Sequence, residues 1–267
     1  MQISSCIIKI YGIVGIRSSC DQILRSTYII MEWIDKGYVL TTRYHGENSL
    51  IVSLLTEKNG KSSGLVHGGG SSKRRGIYQP GNFLDIIWKA RLPDHLGTYR
   101  CELIRSHAAN FLDAPLPLLA LSSAVIILER ALPEREPDRE LFKKFGLLLK
   151  VLREVDWAPS YVRWELDLLT NLGFGLDLSK CAVTGCAEEL THVSPKTGKA
   201  VSEEIARPYA DKLLVLPRFL LKSGFDEDLR DLINGFALTG YFLQRHVFGG
   251  KPDALPIQRE RMIAALT

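Results

Sequence analysis

No apolar run in the 267-residue chain approaches the roughly 18–20 residues that a membrane-spanning helix needs, so no such helix is expected. Cysteine is scarce and odd in number: Cys6, Cys20, Cys101, Cys181 and Cys186. In a chain of this length that argues against a disulfide framework and for a reducing compartment, the cytoplasm. Signatures of catalysis are missing as well. The run Gly68–Gly70 leads into Ser-Ser-Lys-Arg-Arg and not into the Gly-Lys-Ser/Thr order of a phosphate-binding loop. Neither G-x-S-x-G nor H-E-x-x-H occurs, and His45, His67, His95, His107, His192 and His246 are scattered, not spaced as metal ligands. Nor does one sign of charge dominate, since 34 Lys and Arg face 30 Asp and Glu for a net +4.

What charge there is has been concentrated. Between Arg43 and Arg91 eight cations (Arg43, Lys58, Lys61, Lys73, Arg74, Arg75, Lys89, Arg91) stand against Glu47, Glu57 and Asp85, a local +5 that leaves −1 for the rest of the chain. A basic face on a near-neutral body fits a polyanion better than a generally adhesive surface does. At its centre Gly68, Gly69 and Gly70 offer left-handed backbone freedom, Lys73, Arg74 and Arg75 offer phosphate contacts, and Tyr78, Phe83, Trp88 and Tyr99 offer rings on which bases can stack. The plain alternative is a charged, solvated hairpin loop with its rings in the core.

Five short segments rich in β-branched and aromatic residues, Tyr38–Tyr44, Ser49–Thr56, Gly60–His67, Phe83–Ala90 and Thr98–Ser106, are punctuated by GEN, KNG, GGGSSKRR and LPDHLG. They predict a small β-barrel, of the OB-fold or SH3-like kind. After Asp113 the period becomes helical. Leu116–Leu132 is one apolar run, and a second helix carries Leu141, Phe145, Leu148, Leu149 and Leu152 on one stripe. Val162, Leu166, Leu169 and Leu172 share the face of a third, capped by Ser160 and ended by Gly173, and a last long helix spans Asp226–Val247. These stripes read as core.

The segment from about residue 178 to 208 is polar and holds Cys181 and Cys186 in a C-x4-C arrangement with His192 nearby. A structural zinc site takes four converging ligands, usually as two close pairs, and no second pair follows. A hairpin without metal is expected, and no cofactor. Residues 1–30 lack any steady period. Their apolar core, Ile10–Ile16, is short for a signal peptide and no small-x-small cleavage site follows, so Met31 is expected to be the natural start and residues 1–30 a non-native or disordered extension.

From Met31 onward the order of parts resembles the bacterial recombination mediator family RecO. The resemblance rests on MEWIDKGYVLTTRYHGENSLIVSLLTEKNGKSSGLVHGG, QPGNFLDIIWKAR, RWELDLLTNLGFGLDLSKC, VSPKTGKAV and the closing ALPIQRERM. It implies an α+β chain: an N-terminal OB-fold β-barrel for DNA at 31–110, then a mostly α-helical domain at 111–267 with a degenerate zinc-finger-like insertion. Ser202 and Ile205 stand where zinc-bearing relatives carry their second cysteine pair. It further implies a nucleoid-associated, non-enzymatic protein of DNA repair and recombination. Such a protein binds single- and double-stranded DNA, anneals complementary strands, and with RecR helps load the recombinase RecA onto DNA coated by single-strand-binding protein. Charge neutralisation is the physical basis, because a basic surface that holds two strands lowers their repulsion and leaves base edges free. Phosphate contacts are expected from Lys58, Lys61, Lys73, Arg74, Arg75 and Arg91, with Arg43 and Lys89 behind them. Lys143, Lys144, Lys150 and Arg153 are candidates for the acidic C-terminal tail of single-strand-binding protein. Two readings from other classes compete: a zinc-dependent nucleic-acid-modifying enzyme using the cysteine segment with Glu188 or Glu189 as acid/base, and a protein-interaction scaffold that binds no DNA.

Overall fold

The computed structural model describes residues 31–221, 228–250 and 255–266; the expected extension at residues 1–30 lies outside them. Five strands, β1 (Met31–His45), β2 (Ser49–Thr56), β3 (Gly60–Val66), β4 (Phe83–Ala90) and β5 (Thr98–Arg105), close a barrel in the order β1-β2-β3-β5-β4. Closure depends on the length of β1. Its first half, Met31–Tyr38, pairs antiparallel with β4, and its second half, from Gly37, pairs antiparallel with β2, with a register shift within that pairing between Val39 and Thr41. The seam between β3 and β5 is parallel at Leu65 and Thr98. Alternation along the strands sends Val39, Val52, Leu54, Leu84, Ile86, Trp88, Tyr99 and Cys101 inward. Burial there pushes the Cys101 thiol up to about 12, as expected of a core cysteine with no reactive role.

Three helices follow: α1 (Pro115–Ala131), α2 (Arg139–Val151) and α3 (Trp157–Asn171). Pro115 and Pro117 suit the first turn of α1, where backbone N–H groups lack partners in any case. The Asp138 carboxylate accepts from the Leu141 N–H at 2.9 Å and caps α2. The expected Ser160 cap of α3 is corrected: the helix begins four residues earlier, after Asp156, because Pro159 is tolerated inside a first turn and Trp157 is buried there. Gly173 follows α3 in the left-handed region, at φ 86°.

The cysteine-containing segment forms a hairpin, β6 (Leu190–Val193) with β7 (Ala200–Ser202), followed by the single turn α4 (Glu203–Ala206); β8 (Leu214–Val215) joins the other edge of β6. Helix α5 (Leu229–Phe242) continues into a π-helical turn at Leu243–Val247, and the chain returns as α6 (Ile257–Leu266). The expectation for α5 before Asp228 lies outside the described residues.

The barrel and helices share a core. Tyr38, Leu40 and Leu55 point outward from the barrel into the cluster built on α1, α2 and α3, where the Tyr38 ring lies 4.6 Å from Phe83, 5.1 Å from Phe142 and 5.3 Å from Phe145. Polar contacts tie the same junction. Ser53 Oγ donates to the Glu129 carboxylate at 2.5 Å, and the Arg135 N–H to the Lys61 carbonyl at 2.7 Å. At the β2–β3 turn Gly60 has φ 67°, and a Cβ there would collide with the Glu136 backbone, so glycine sets how closely the helical part can approach.

Candidate nucleic-acid interface

The cation-rich loop between β3 and β4 is folded onto the barrel. The Gly70 N–H donates to the Asn48 carbonyl at 2.9 Å, and Gly70 leaves room for the Tyr44 ring, which a Cβ would meet at 2.9 Å. These contacts dock the loop on the β1–β2 turn. Lys73 and Arg75 are exposed on it, and Arg43 and Tyr44 are exposed at the strand end beside it, so one edge of the barrel carries three exposed cationic side chains and a solvent-facing ring. Of the three hinge glycines only Gly68 uses positive φ, at 66°. Gly69 and Gly70 are needed for close approach instead.

Arg74 has a different task. Its guanidinium donates to the His67 carbonyl and the Tyr78 hydroxyl, both at 3.3 Å, which pins the loop over the barrel. Burial raises the Tyr78 hydroxyl above its usual range, partly offset by that cation.

The remaining cations separate. Lys58 is exposed on the β2–β3 turn, at the far end of the hairpin, where its backbone N–H and that side of the turn are held by Asp35. Lys89 is paired with Glu32 at 2.8 Å on the barrel surface, and Arg91 is exposed where β4 ends and has contacts of its own. Lys61 is a correction. It is 9% exposed, and its ammonium donates to the Glu129 carbonyl at 2.8 Å with Glu134 at 3.8 Å. The group faces the C-terminal end of α1, where unpaired carbonyls and the helix dipole favour a cation. Lys61→Ala is therefore expected to cost about 1–2 kcal/mol of stability. Thermal unfolding and a salt titration of binding to DNA check it: the melting temperature falls and the salt slope does not change.

The ring assignments are corrected too. Tyr78, Trp88 and Tyr99 are at most 5% exposed, and Phe83 packs on Tyr38, so none presents a face to a base. The exposed ring is Tyr44, 65% accessible, whose position beside the GEN turn was the only sequence signal for it.

On α2 the four cations proposed for a partner tail divide. Lys144 is held by Asp167 at 3.0 Å and lies 3.9 Å from Glu140, whereas Lys143 and Lys150 are exposed on either side of Leu147, which is 56% accessible. Arg153 is exposed just beyond the helix.

In the cysteine segment, Ser202 stands directly against Cys181: both its N–H and its hydroxyl lie 3.4 Å from Sγ. Burial pushes the thiol pKa up, but hydrogen bonds from Ser202 and Thr184 outweigh it and bring Cys181 down to about 6. Among the described residues no three His, Cys, Asp or Glu side chains converge as a metal site would require. Two thiols and a serine hydroxyl do not fit zinc, and purified protein is expected to carry well under one zinc per chain by atomic absorption. Stoichiometric metal that survives dialysis would contradict this.

Comparisons with known proteins identify the family. The family profile described as "Recombination protein O N terminal" matches residues 31–107, and "Recombination protein O C terminal" matches 115–255. The chain is 46% identical over 237 residues to the DNA repair protein RecO of Rhodospirillum centenum, covering 87% of this chain and 94% of that protein. It is 43% identical to the DNA repair protein RecO of Mesorhizobium japonicum (88% and 94% covered) and 44% identical to that of Ruegeria sp. (88% and 98%). Among the described residues no helix is long and apolar enough to cross a membrane. On the strength of both halves and of these relatives, the chain belongs to the RecO family of DNA repair proteins.

Proposed function

We propose that this chain binds single- and double-stranded DNA along the barrel edge formed by Arg43, Tyr44, Lys73 and Arg75, and anneals complementary strands there. The observation that carries the reading is the docking of the β3–β4 loop on the β1–β2 turn through Gly70 and Asn48, which collects cations from separate stretches of sequence beside an exposed ring. The strand order β1-β2-β3-β5-β4 is the arrangement expected of an OB-fold, whose open face and loops take oligonucleotides. Phosphates bound along such an edge lose much of their mutual repulsion while the base edges stay free. Tyr44 adds stacking that tolerates any sequence.

The action is stoichiometric: the chain holds strands and does not convert them. With RecR it helps load RecA onto DNA covered by single-strand-binding protein. The apolar Leu147 edged by Lys143 and Lys150 is a place for that protein's acidic, apolar-ended tail. The test is a titration of single-stranded and duplex DNA at several salt concentrations, with annealing of complementary oligonucleotides followed in parallel. Expected are binding to both forms, a steep fall with salt, annealing that tracks binding, and strands recovered intact. Salt-independent binding, or none, would remove the DNA reading and leave a protein-interaction scaffold.

A further inference from the structure

Where the barrel meets α2 there is a cavity of about 230 Å³ that the proposed DNA edge does not use. It is lined by the buried Tyr38 and His107 and the half-buried Phe83, with the exposed Ile104, Arg105 and Lys150 toward solvent. Gly146 keeps it open on the helix side, since a Cβ there would lie 2.5 Å from the Tyr38 hydroxyl oxygen. His107 is only 5% exposed, and its Nδ1 has no hydrogen-bond partner among the described residues. A buried, unpartnered polar atom costs on the order of 1–3 kcal/mol unless something else supplies a partner. Three cations act on this ring, Arg105 from β5, Lys150 from α2 and Arg153 just beyond it, and one acid, Glu57, acts on the neighbouring Tyr38. Burial, with the three cations acting in the same sense, lowers the His107 pKa to about 4. The ring is therefore neutral and the site strongly positive, as an anion receptor is before its anion arrives.

We propose that this junction cavity is a phosphate site and that it takes the terminal phosphomonoester of a DNA strand. Charge selects the ligand. A phosphomonoester approaches two negative charges near neutral pH and has three acceptor oxygens for Arg105, Lys150 and His107, whereas one carboxylate leaves the cluster with excess positive charge. Size and shape select the end of a strand. The volume is below the roughly 300–1,000 Å³ of sites for drug-sized ligands, enough for a phosphate and part of one sugar but not for a strand laid through it. Tyr38, Phe83 and Ile104 give apolar walls for the sugar that carries it. The strand-end source rests on the DNA-binding reading above; the phosphate site itself does not.

The experiment has two arms. In the first, inorganic phosphate is titrated into the full chain while the His107 ring resonances are followed by NMR against pH. An anion a few ångströms from the ring is expected to raise its pKa by about one unit or more. In the second, otherwise identical oligonucleotides ending in 5′-phosphate or 5′-hydroxyl are compared for affinity, with Arg105→Gln/Lys150→Gln beside the unaltered protein. A preference of about fivefold or more for the phosphorylated end, lost in the double variant, is expected. Both changes are on exposed side chains, and circular dichroism confirms the fold. A His107 response to phosphate with equal affinity for the two ends would keep the site and assign it to free phosphate. A response with no DNA binding of any kind would refute the DNA reading alone. No response of His107 to phosphate, or a response to a C-terminal acidic peptide in its place, would overturn the proposal.

Discussion

Arg259→Met is expected to destabilise the protein by about 3–5 kcal/mol, a fall in melting temperature on the order of 10 °C for a chain of this size. Arg259 is 3% exposed and Glu165 fully buried, and they meet in a bidentate pair with Nε to Oε1 at 2.7 Å and Nη2 to Oε2 at 2.9 Å. Arg259 also donates to the Phe236 carbonyl at 2.7 Å, and the Thr239 hydroxyl donates to Glu165 at 2.5 Å, so α3, α5 and α6 are joined at one point. Burial alone would lower the Arg259 pKa, but the Glu165 carboxylate overrides it and holds the guanidinium more firmly protonated than usual. Removing the cation strands a carboxylate in a dry core, and that uncompensated charge, more than the lost attraction, sets the size of the effect. The double variant Glu165→Gln/Arg259→Met should therefore recover at least half the loss. Thermal denaturation of the three proteins measures it; a single variant that melts within 2 °C or so of the unaltered protein would show that the pair is solvated and α6 not anchored through it.

That pair marks a limit of what could be read before the fold was known. Arg259 lies in the closing ALPIQRERM, which the family resemblance singles out, yet nothing local says that this arginine, and not Arg261, turns inward to a glutamate 94 residues away. Lys61 is the same case in reverse. It sits in a polar stretch, GKSSG, that reads as solvent-exposed, and only the arrival of the end of α1 makes it a buried donor. Such assignments depend on which helix end comes to rest where, information spread over the whole chain.

The strands were legible because their punctuation is local: β2 and β4 run over the expected residues, and β3 and β5 end one residue short. The exception is β1, which begins seven residues before the expected Tyr38. MEWIDKG lacks a clean alternation because Ile34 faces solvent and Asp35 is buried, and its partner is the distant β4. The inward direction of the rings has a local signal. In FLDIIWKA, Trp88 shares its face with Leu84 and Ile86, opposite Asp85, which is the pattern of a barrel interior and not of a stacking platform. Of the candidate interface, the loop cations were visible as a cluster. Their meeting with Arg43 and Tyr44 was not, because it needs the Gly70–Asn48 contact.

The charge on that edge gives the second large effect: changing Lys73 and Arg75 together to alanine is expected to weaken binding to single-stranded DNA about 25-fold at 0.1 M salt. Each lysine or arginine that neutralises a phosphate contributes roughly 0.7 to the slope of log affinity against log salt on single strands, so losing two flattens it by about 1.4. If the two proteins' affinities converge near 1 M salt, that difference in slope amounts to about 1.4 log units at 0.1 M. Both side chains are exposed on the loop, so the fold should be untouched. Adding Arg74→Ala is a different experiment, because Arg74 also pins the loop to His67 and Tyr78. The triple variant should flatten the slope by about two units in all and also lower the melting temperature. The loss should be uniform across DNA sequences, since phosphate contacts position a strand without reading it, and annealing should fall in step. Salt titrations of the unaltered, double and triple proteins on oligonucleotides of two unrelated sequences decide the matter, with circular dichroism to verify folding. A folded double variant with unchanged affinity and slope would move the DNA surface off this edge and leave the loop a solvated turn. A loss confined to one sequence would mean that Arg75 reads bases, a task for which strand annealing has no use.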